Sequence, residues 1–498
     1  MSVKQSPPLD SRRAGILLHP SSLPNNSHSG DLGPEAYHFI SFLKNCTFSV
    51  WQVLPLVPTH DDGSPYMGLS VLAGNPDLIS LELLSQWGWL DKVKAASVTE
   101  NLSSDRKMQL TLAFDGFKQV ATEDEQFEYK KFLAQHQKWL PDFALFMALR
   151  AENHNQSWVS WPEEIRDRQA EALEKARLRL ALGIKQVSFE QYVFFKQWLA
   201  LKKYANDLGV KIVGDMPIFV AHDSAEVWAN RDCFDLLENG QSQTVAGVPP
   251  DYFSATGQLW GNPHYNWKQM KADGFQWWID RIGGSLELYD LIRVDHFRGF
   301  ESYWEIDAGA ETAMDGHWVK APGRALFDAL LKEFSSLPFI AEDLGVITPQ
   351  VDKLRNQYAW PGMKILQFAF DGKADNPYLP HNHEPNSVVY TGTHDNDTTL
   401  GWYNGLDTHT QEYIEEYLGY AQEAMPWPLI RCALASTANL AVIPMQDILS
   451  LGEGNRMNTP GVTADNWHWQ FSWQWVDENL AHKLSHLLKL YQRNTQTA

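Results

Sequence analysis

The stretch Leu291-Ile292-Arg293-Val294-Asp295-His296 joins a short apolar run to a cluster of polar side chains. Such a run predicts a short buried strand, and the polar residues after it predict a loop at the carboxyl end of that strand. Because side chains alternate along a strand, Arg293 and Asp295 are expected to leave the same face. A guanidinium beside a carboxylate favours the charged carboxylate, so Asp295 is predicted to be ionised.

Seven similar runs are spread along the chain, and helix-like segments lie between several of them. They are residues 16–18, 50–54, 210–213, 339–341, 364–366, 388–390 and 441–443. One helix-like segment is expected to follow Ser188, which stands at capping-box spacing from Gln191. Eight strands that alternate with helices predict an α/β fold, and the count suits a (β/α)8 TIM barrel.

Unequal spacing between the runs indicates large insertions between barrel strands. Residues 77–208 are charged and are predicted to form a mostly helical insertion. Residues 230–278 are rich in Gly, Pro, Asn and Trp, and are predicted to form a loop-rich insertion that covers the cleft. Both are expected to be subdomains around the cleft, so that residues 1–498 form a single barrel unit.

The composition of the chain bears on which partners it can bind and on where in the cell it is expected. With 41 basic and 61 acidic residues the net charge is −20, which disfavours nucleic acid as a partner. No stretch is apolar enough to span a bilayer, so no membrane association is expected. The amino terminus lacks the apolar segment of a secretory signal and resembles no transit peptide. The sequence therefore predicts a cytoplasmic location, with a plastid-like compartment as the alternative.

Charged and polar residues follow most of the predicted strands, at the end where barrel enzymes carry their chemistry. They are His19, Asp215, Arg293, Asp295, His296, Glu342, Asp343, His394, Asp395, Gln446 and Asp447. One acid after a strand is more often a helix cap than a catalyst. Acids at three strand ends, each beside a His, an Arg or a second acid, favour a site instead, because burying so many ionisable groups is costly.

The acids at these ends suit retaining glycoside chemistry. One carboxylate must be ionised to attack the anomeric carbon, and a second must hold a proton for the leaving oxygen. Glu342 and Asp343 are adjacent and face opposite ways if the strand continues, so the pattern leaves open which of them points inward. The chain also has 21 Trp, 17 Tyr and 24 Phe, which can pack a core or stack on sugar rings.

Several longer motifs carry a family resemblance. They include Gly15–Pro24, Ser64–Tyr66, Gly214–Ile218, Gly247–Pro263, Arg293–Gly299, Ala341–Gly345, Pro361–Lys364 and Thr393–Asn396. In these motifs and their order, the sequence resembles the 4-α-glucanotransferases known as amylomaltase or disproportionating enzyme, relatives of the α-amylases. The resemblance implies transfer of α-1,4-glucan segments to the 4-OH of an acceptor, with maltooligosaccharides and α-1,4-glucans as donor and acceptor.

The resemblance also implies a role for each candidate residue. Asp295 would be the nucleophile, Glu342 the general acid/base, and Asp395 the group that binds hydroxyls of the distorted sugar. The implied substrate-binding residues are Ser64, Tyr66, Asp215, Gln258, Trp260, Arg293, His296 and His394. No cofactor and no metal are implied, and the oligomeric state is not fixed by the sequence.

Three other classes of protein share part of this pattern. An α-amylase-like hydrolase would use the same acids with water as the acceptor. A metal-dependent barrel hydrolase could use His19, His222, His296 and His394, although it would usually have closely paired histidines early in the chain, where no His-x-His pair occurs. A non-catalytic glucan-binding protein would have little need for three acids at strand ends.

Overall fold

Twelve strands form two sheets in the computed structural model, which describes residues 8–25, 29–91, 102–250, 254–462, 464–476 and 478–494. The strands are β1 Arg13–Leu17, β2 Val50–Gln52, β3 Lys211–Met216, β4 Thr244–Val248, β5 Gln258–Pro263, β6 Leu291–Val294, β7 Ser302–Asp307, β8 His317–Lys320, β9 Phe339–Ala341, β10 Gly362–Ile365, β11 Ser387–Tyr390 and β12 Leu440–Pro444.

The larger sheet is a barrel of eight parallel strands in the order β10-β11-β12-β1-β2-β3-β6-β9. Its two ends meet where the backbone N–H of Ala341 in β9 donates to the carbonyl of Pro361, just before β10, at 2.9 Å. Each of the eight apolar runs overlaps one barrel strand. The predicted (β/α)8 barrel is therefore confirmed.

Alternation along each strand separates the barrel interior from the helical shell. Leu291 belongs to a cluster of buried side chains inside the barrel, whereas Ile292 and Val294 belong to the larger core that packs against the helices. The interior also holds a polar pair, because the hydroxyl of Tyr390 donates to Gln52 Oε1 at 2.9 Å. The interior face of β6 then continues to Arg293, which brings its charge to the mouth of the barrel.

Helices surround the barrel and fill the connections between its strands. They are Pro34–Asn45, Leu81–Gln86, Leu102–Val120, Glu123–Gln135, Leu140–Glu152, Glu163–Arg166, Ala170–Arg179, Ala181–Asp207, Ala225–Ala229, Trp267–Ala272, Gln276–Leu288, Gly323–Phe334, Pro349–Gln357, Thr399–Asn404, Thr408–Tyr417, Trp427–Ala435, Met445–Ile448 and Glu478–Leu490. Among the described residues, none of these helices is long and apolar enough to cross a membrane.

The long connection from β2 to β3 carries the helices from Leu81–Gln86 to Ala181–Asp207. The prediction that a helix starts at Ser188 was wrong, because Ser188 lies inside Ala181–Asp207 and its hydroxyl donates to the Ile184 carbonyl at 2.7 Å. Serine can bond back along a helix in this way as readily as it caps one, so spacing alone did not distinguish the two.

The second sheet is antiparallel, in the order β5-β4-β7-β8. Two of its strands, β4 and β5, lie within the predicted insertion 230–278, together with helix Trp267–Ala272. Its other two strands come from the chain after β6, so the sheet is completed by residues far along the sequence. Short strands that contain Gly or Pro and pair with residues far along the chain lack the alternating apolar pattern by which a strand is recognised in a sequence.

Replacing Tyr390 by Phe tests the polar pair inside the barrel. The change leaves Gln52 Oε1 buried without its donor, and we expect the free energy of unfolding to fall by about 1–3 kcal/mol. Urea unfolding followed by circular dichroism measures the loss. The control is Tyr403→Phe, whose hydroxyl donates to Glu415 at the exposed surface, and which should cost less than about 0.5 kcal/mol. Equal losses in the two variants would contradict the prediction.

Candidate active site

A buried guanidinium joins two carboxylates at the carboxyl ends of neighbouring strands. Asp215 of β3 and Arg293 of β6 are partners in the barrel ladder, and Arg293 Nη1 lies 2.6 Å from Asp215 Oδ2. The other terminal nitrogen of Arg293, Nη2, lies 3.1 Å from Asp295 Oδ1. The side chains of Asp215 and Arg293 are buried, while that of Asp295 is 27% exposed and reaches the cleft.

Glu342 follows β9 as Asp295 follows β6. The backbone N–H of Glu342 donates to the carbonyl of Val294 at 3.0 Å, which continues the parallel pairing of the two strands beyond Ala341. Neighbouring strands lie about 4.8 Å apart. The carboxyl groups of Asp295 and Glu342 are therefore neighbours at the mouth of the barrel.

His296 shapes the backbone between these two acids. Its φ of 48° and ψ of 50° lie in the left-handed region, which residues other than glycine adopt uncommonly and mostly where the surrounding structure holds them there. This turn directs the His296 N–H at Glu342 Oε2, at 2.5 Å, while the N–H of Leu344 donates to Glu342 Oε1 at 3.1 Å. Each oxygen of the Glu342 carboxyl thus accepts one backbone N–H, which fixes the orientation of the group.

Asp343 points away from the cleft, which removes the ambiguity left by the sequence pattern. Its Oδ1 accepts the backbone N–H of Met363 in β10 at 2.7 Å, and its Oδ2 lies 3.4 Å from Arg355 Nε. A Cβ on Gly362 would collide with this carboxylate, so the residue there has to be glycine. Asp343 therefore links β9 to β10, and Glu342 is the acid that faces the cleft.

The two cleft acids differ in their affinity for protons. Burial raises the pKa of Asp295 to about 6; Arg293 opposes this rise, while the charges of Asp215 and Asp395 add to it. Burial, together with the charge of Asp295, raises the pKa of Glu342 to about 8. At pH 7 Asp295 is therefore mostly ionised and Glu342 mostly protonated. Arg293 favours the charged form of Asp295 as predicted, but burial outweighs it.

Asp395 follows β11, which is separated from β9 by β10 alone. Its Oδ1 lies 3.3 Å from His394 Nε2 and accepts the side-chain N–H of Asn458 at 2.6 Å. Burial raises the pKa of this carboxyl, but His394 and Asn458 together bring it well below its usual range. Asp395 is therefore ionised across the neutral range.

Aromatic side chains line both sides of these acids. The Tyr66 hydroxyl donates to Asp215 Oδ2 at 2.8 Å, and its ring stacks on His394 with centroids 5.0 Å apart. On the other side Trp260 of β5 meets His296 edge to face at 5.0 Å, and its indole N–H donates to Gln258 Oε1 at 3.0 Å. Ten of the eleven candidate residues thus form one connected constellation.

The remaining candidate, Ser64, acts on the backbone of the same loop, where its hydroxyl accepts the N–H of Tyr66 at 3.4 Å. Two other polar residues at strand ends contribute elsewhere. Asp447 is buried and accepts hydrogen bonds from Thr391 and Thr399. His222 is bonded to the carbonyl of Gly240 at 2.8 Å. In the described part of the chain, no three His, Cys, Asp or Glu side chains form a group suited to a metal ion.

Comparison with known proteins identifies the family. A family model described as 4-alpha-glucanotransferase matches residues 18–475. The chain belongs to this family. The 4-alpha-glucanotransferase of Thermus thermophilus is 47% identical over 473 residues, which cover 92% of this chain and 94% of the relative. That of Synechocystis sp. is 46% identical over 498 residues, covering 97% and 99%. The chain is thus an enzyme of a family that transfers glucan segments with retention.

Solved structures agree. The structure described as amylomaltase from Streptococcus agalactiae in complex with acarbose superposes with a TM-score of 0.94 at 38% identity, covering 97% of this chain and all of that one. Amylomaltase from Corynebacterium glutamicum shares the fold at 19% identity and a TM-score of 0.78, covering 96% of this chain and 75% of that one.

Three residues of the constellation were missed by the sequence reasoning. Asn458 binds the Asp395 carboxylate, and the Arg456 guanidinium donates to the Asp395 carbonyl at 2.8 Å. Trp467 lies beside Tyr66 and His394, with centroids 5.9 and 6.0 Å away. All three follow β12 in a segment without helix or strand, where an amide or a tryptophan gives no distinctive signal. Only their position in space relates them to the acids.

Asp343→Asn tests the structural role of the second acid. The variant keeps an oxygen for the Met363 N–H but leaves the buried Arg355 without this carboxylate, and we expect a loss of about 3 kcal/mol in stability. Glucan transfer per folded molecule should stay within about tenfold of the parent, because Glu342 keeps both of its backbone donors. Thermal unfolding and initial rates at 25 °C measure the two effects. A complete loss of transfer in a stable variant would place Asp343 in the cleft.

Proposed function

We propose that the enzyme transfers segments of α-1,4-glucans between maltooligosaccharides by double displacement, with Asp295 as nucleophile and Glu342 as general acid/base. One observation carries the proposal: the carboxyl groups of Asp295 and Glu342 follow two adjacent barrel strands, and their surroundings raise the pKa of Glu342 above that of Asp295. Retaining glycoside chemistry needs this combination of an ionised and a protonated acid.

The assignment of roles follows from the contacts of each acid. Asp295 is ionised, touches Arg293 and is partly open to the cleft, so its free oxygen can attack the anomeric carbon. Glu342 holds a proton at neutral pH and can donate it to the glycosidic oxygen as the bond breaks. In this first step the Asp295 oxygen forms a bond to the anomeric carbon, and the leaving glucan departs with the proton of Glu342.

The second step reverses these roles. Glu342, now a carboxylate, takes the proton from the 4-OH of an acceptor glucan, whose oxygen attacks the anomeric carbon and releases Asp295. Each displacement inverts the anomeric carbon, so the α-configuration is retained. Arg293 remains beside Asp295 throughout and stabilises the carboxylate whenever it is free.

Asp395 and the aromatic side chains are proposed to hold the reacting sugar. The Asp395 carboxylate, kept ionised by His394 and Asn458, suits hydrogen bonds from two hydroxyls of a distorted glucose ring. Tyr66 and Trp260 offer flat apolar faces to neighbouring units on either side. Asp215, His296 and His394 orient these groups, while Gln258 and Ser64 fix Trp260 and the Tyr66 loop.

The choice of a sugar over water as acceptor is assigned to the antiparallel subdomain. Its strand β5 brings Trp260 against His296, next to the nucleophile, where an aromatic ring can cover the cleft and exclude water. An α-amylase-like hydrolase would share the acids, so the products distinguish the two activities. A cytoplasmic location stays a prediction from the sequence.

Incubation with maltotriose tests transfer directly. We expect glucose together with oligomers longer than maltotriose, and little gain in total reducing ends, because each bond broken is replaced by another. High-performance anion-exchange chromatography and a reducing-end assay measure the two quantities. Accumulation of glucose and maltose, with a matching rise in reducing ends, would instead make the protein a hydrolase.

Asp295→Asn tests the nucleophile. An amide cannot form the covalent intermediate, so transfer should fall by about 10⁴-fold or more while the melting temperature changes little. The matched control is Asp407→Asn, which alters an exposed helix cap bonded to the Thr410 N–H, in a position where Asn caps equally well. Initial rates with maltotriose and thermal unfolding provide the comparison. Near-normal transfer in Asp295→Asn would remove this residue from the role.

The pH dependence of kcat/KM follows from the two raised pKa values. Asp295 must be ionised, so activity should fall as the pH drops through about 6, where this carboxyl gains its proton. Glu342 must be protonated, so activity should also fall as the pH rises through about 8. The profile should be bell-shaped with its maximum near neutral pH. An activity that keeps rising above pH 8.5 would contradict the assignment of Glu342 as the acid, because its pKa of about 8 should set the alkaline limb of the profile.

A further inference from the structure

Trp318 lies on an open edge of the antiparallel subdomain, and none of the chemistry above uses it. It belongs to β8, the edge strand of the sheet, and 37% of its surface is exposed. Across the ladder it pairs with Trp304 of β7, and the two rings meet nearly edge to face with centroids 5.1 Å apart. Trp304 is fixed in turn, because its indole N–H donates to the Ala313 carbonyl at 2.8 Å.

One face of the Trp318 ring is covered by a charged side chain from the active-site segment. The guanidinium carbon of Arg298 lies 3.6 Å from the ring centroid, within the range of a cation–π contact. Arg298 is itself buried and donates a hydrogen bond to the carbonyl of Val346. Trp318 is therefore packed against Trp304 and Arg298, and 37% of its surface remains open to solvent.

The contacts of Trp318 connect it to both reacting acids. Arg298 stands three residues after Asp295, and Val346 stands four residues after Glu342. In the proposed mechanism Glu342 protonates the oxygen that leaves with the departing glucan. The units on the acceptor side therefore leave the reacting bond on the Glu342 side of the cleft, and Val346, a few residues further along the chain, is 60% exposed. Trp318 is linked to Val346 through Arg298.

We propose that Trp318 is a stacking platform for the acceptor-side part of an α-1,4-glucan chain, beyond the units at the reacting bond. This inference rests on the proposed function. A glucose ring has an apolar face of C–H groups that packs on a flat aromatic surface, and a ring held rigidly loses little conformational entropy when it binds. The polar heads of His317 and Lys320 on the same strand are exposed at the rim, where hydroxyls can reach them.

A structural role for Trp318 makes a different prediction. If the ring serves only to cover Arg298, its loss would lower stability and would affect substrates of every length alike. A platform beyond the reacting bond can be reached by long chains but contributes less to short ones. The dependence on chain length is therefore the quantity to measure.

The experiment compares kcat/KM for maltoheptaose with kcat/KM for maltotriose in the full-length enzyme. For Trp318→Ala we expect the ratio of kcat/KM for maltoheptaose to kcat/KM for maltotriose to fall about tenfold, because the longer chain loses one stacking contact. Trp318→Phe keeps a flat ring and should restore most of the ratio. The control is Phe127→Ala, which removes an exposed aromatic ring (68% exposed) from helix Glu123–Gln135 in the helical insertion, and which should leave the ratio unchanged. Thermal unfolding of each variant reports on stability.

Calorimetric titration of maltoheptaose into the inactive Asp295→Asn enzyme, with and without Trp318→Ala, separates the platform from the mechanism. We expect the double variant to bind about tenfold more weakly than the single variant. Equal binding by both, or an equal loss of kcat/KM for the two oligosaccharides, would overturn the platform. If Asp295→Asn alone still transferred glucan, the proposed mechanism would fail instead, and the titration would judge Trp318 independently.

Discussion

The bridge from Arg293 to Asp215 and Asp295 is the interaction on which the site depends. Two carboxylates and a guanidinium lie together at the mouth of the barrel, and removing such charges from water is costly unless they compensate one another. Arg293 compensates both acids with its two terminal nitrogens. Because one acid is on β3 and the other follows β6, the bridge also ties the ends of two neighbouring strands. Asp295 can therefore remain charged at a position where its side chain is only 27% exposed.

The charge balance around this bridge determines the state of the third acid. Arg293 contributes one positive charge to a site with two negative carboxylates, so the excess is already negative. Burial, together with the charge of Asp295, makes ionisation of Glu342 unfavourable and raises the pKa of this carboxyl to about 8. Asp395 escapes this effect because it has its own partners, His394 and Asn458. The protonation states of the three acids thus differ because their burial and their charged neighbours differ.

The barrel could be predicted from the sequence because each of its strands is a short apolar run that can be recognised from neighbouring residues alone. Alternation in 291–294 separates an interior face from an exterior face, and the acid two residues beyond Arg293 lands beside it. The choice between Glu342 and Asp343 could not be made from alternation alone, because the strand ends before both residues. Its resolution required the contact with Met363, made by a different strand. Asn458 and the pairing of β4 with β7 were missed for the same reason, since their partners are distant in sequence.

The contact between Asp343 and Met363 has a consequence for how this enzyme can change over evolution. Strands β9 and β10 are joined by the backbone hydrogen bond from Ala341 to Pro361 and by the bond from the Met363 N–H to the Asp343 carboxylate. At the second position a side chain therefore accepts the hydrogen bond that a backbone carbonyl would accept in a regular sheet. Asp343, the residue next to Glu342, therefore stabilises the closure of the barrel, and Gly362 leaves the space that its carboxylate occupies. Positions 343, 355 and 362 are therefore expected to change together, because a change at one of them leaves a buried charge without its partner or fills the space of the carboxylate, and so lowers the stability of the barrel.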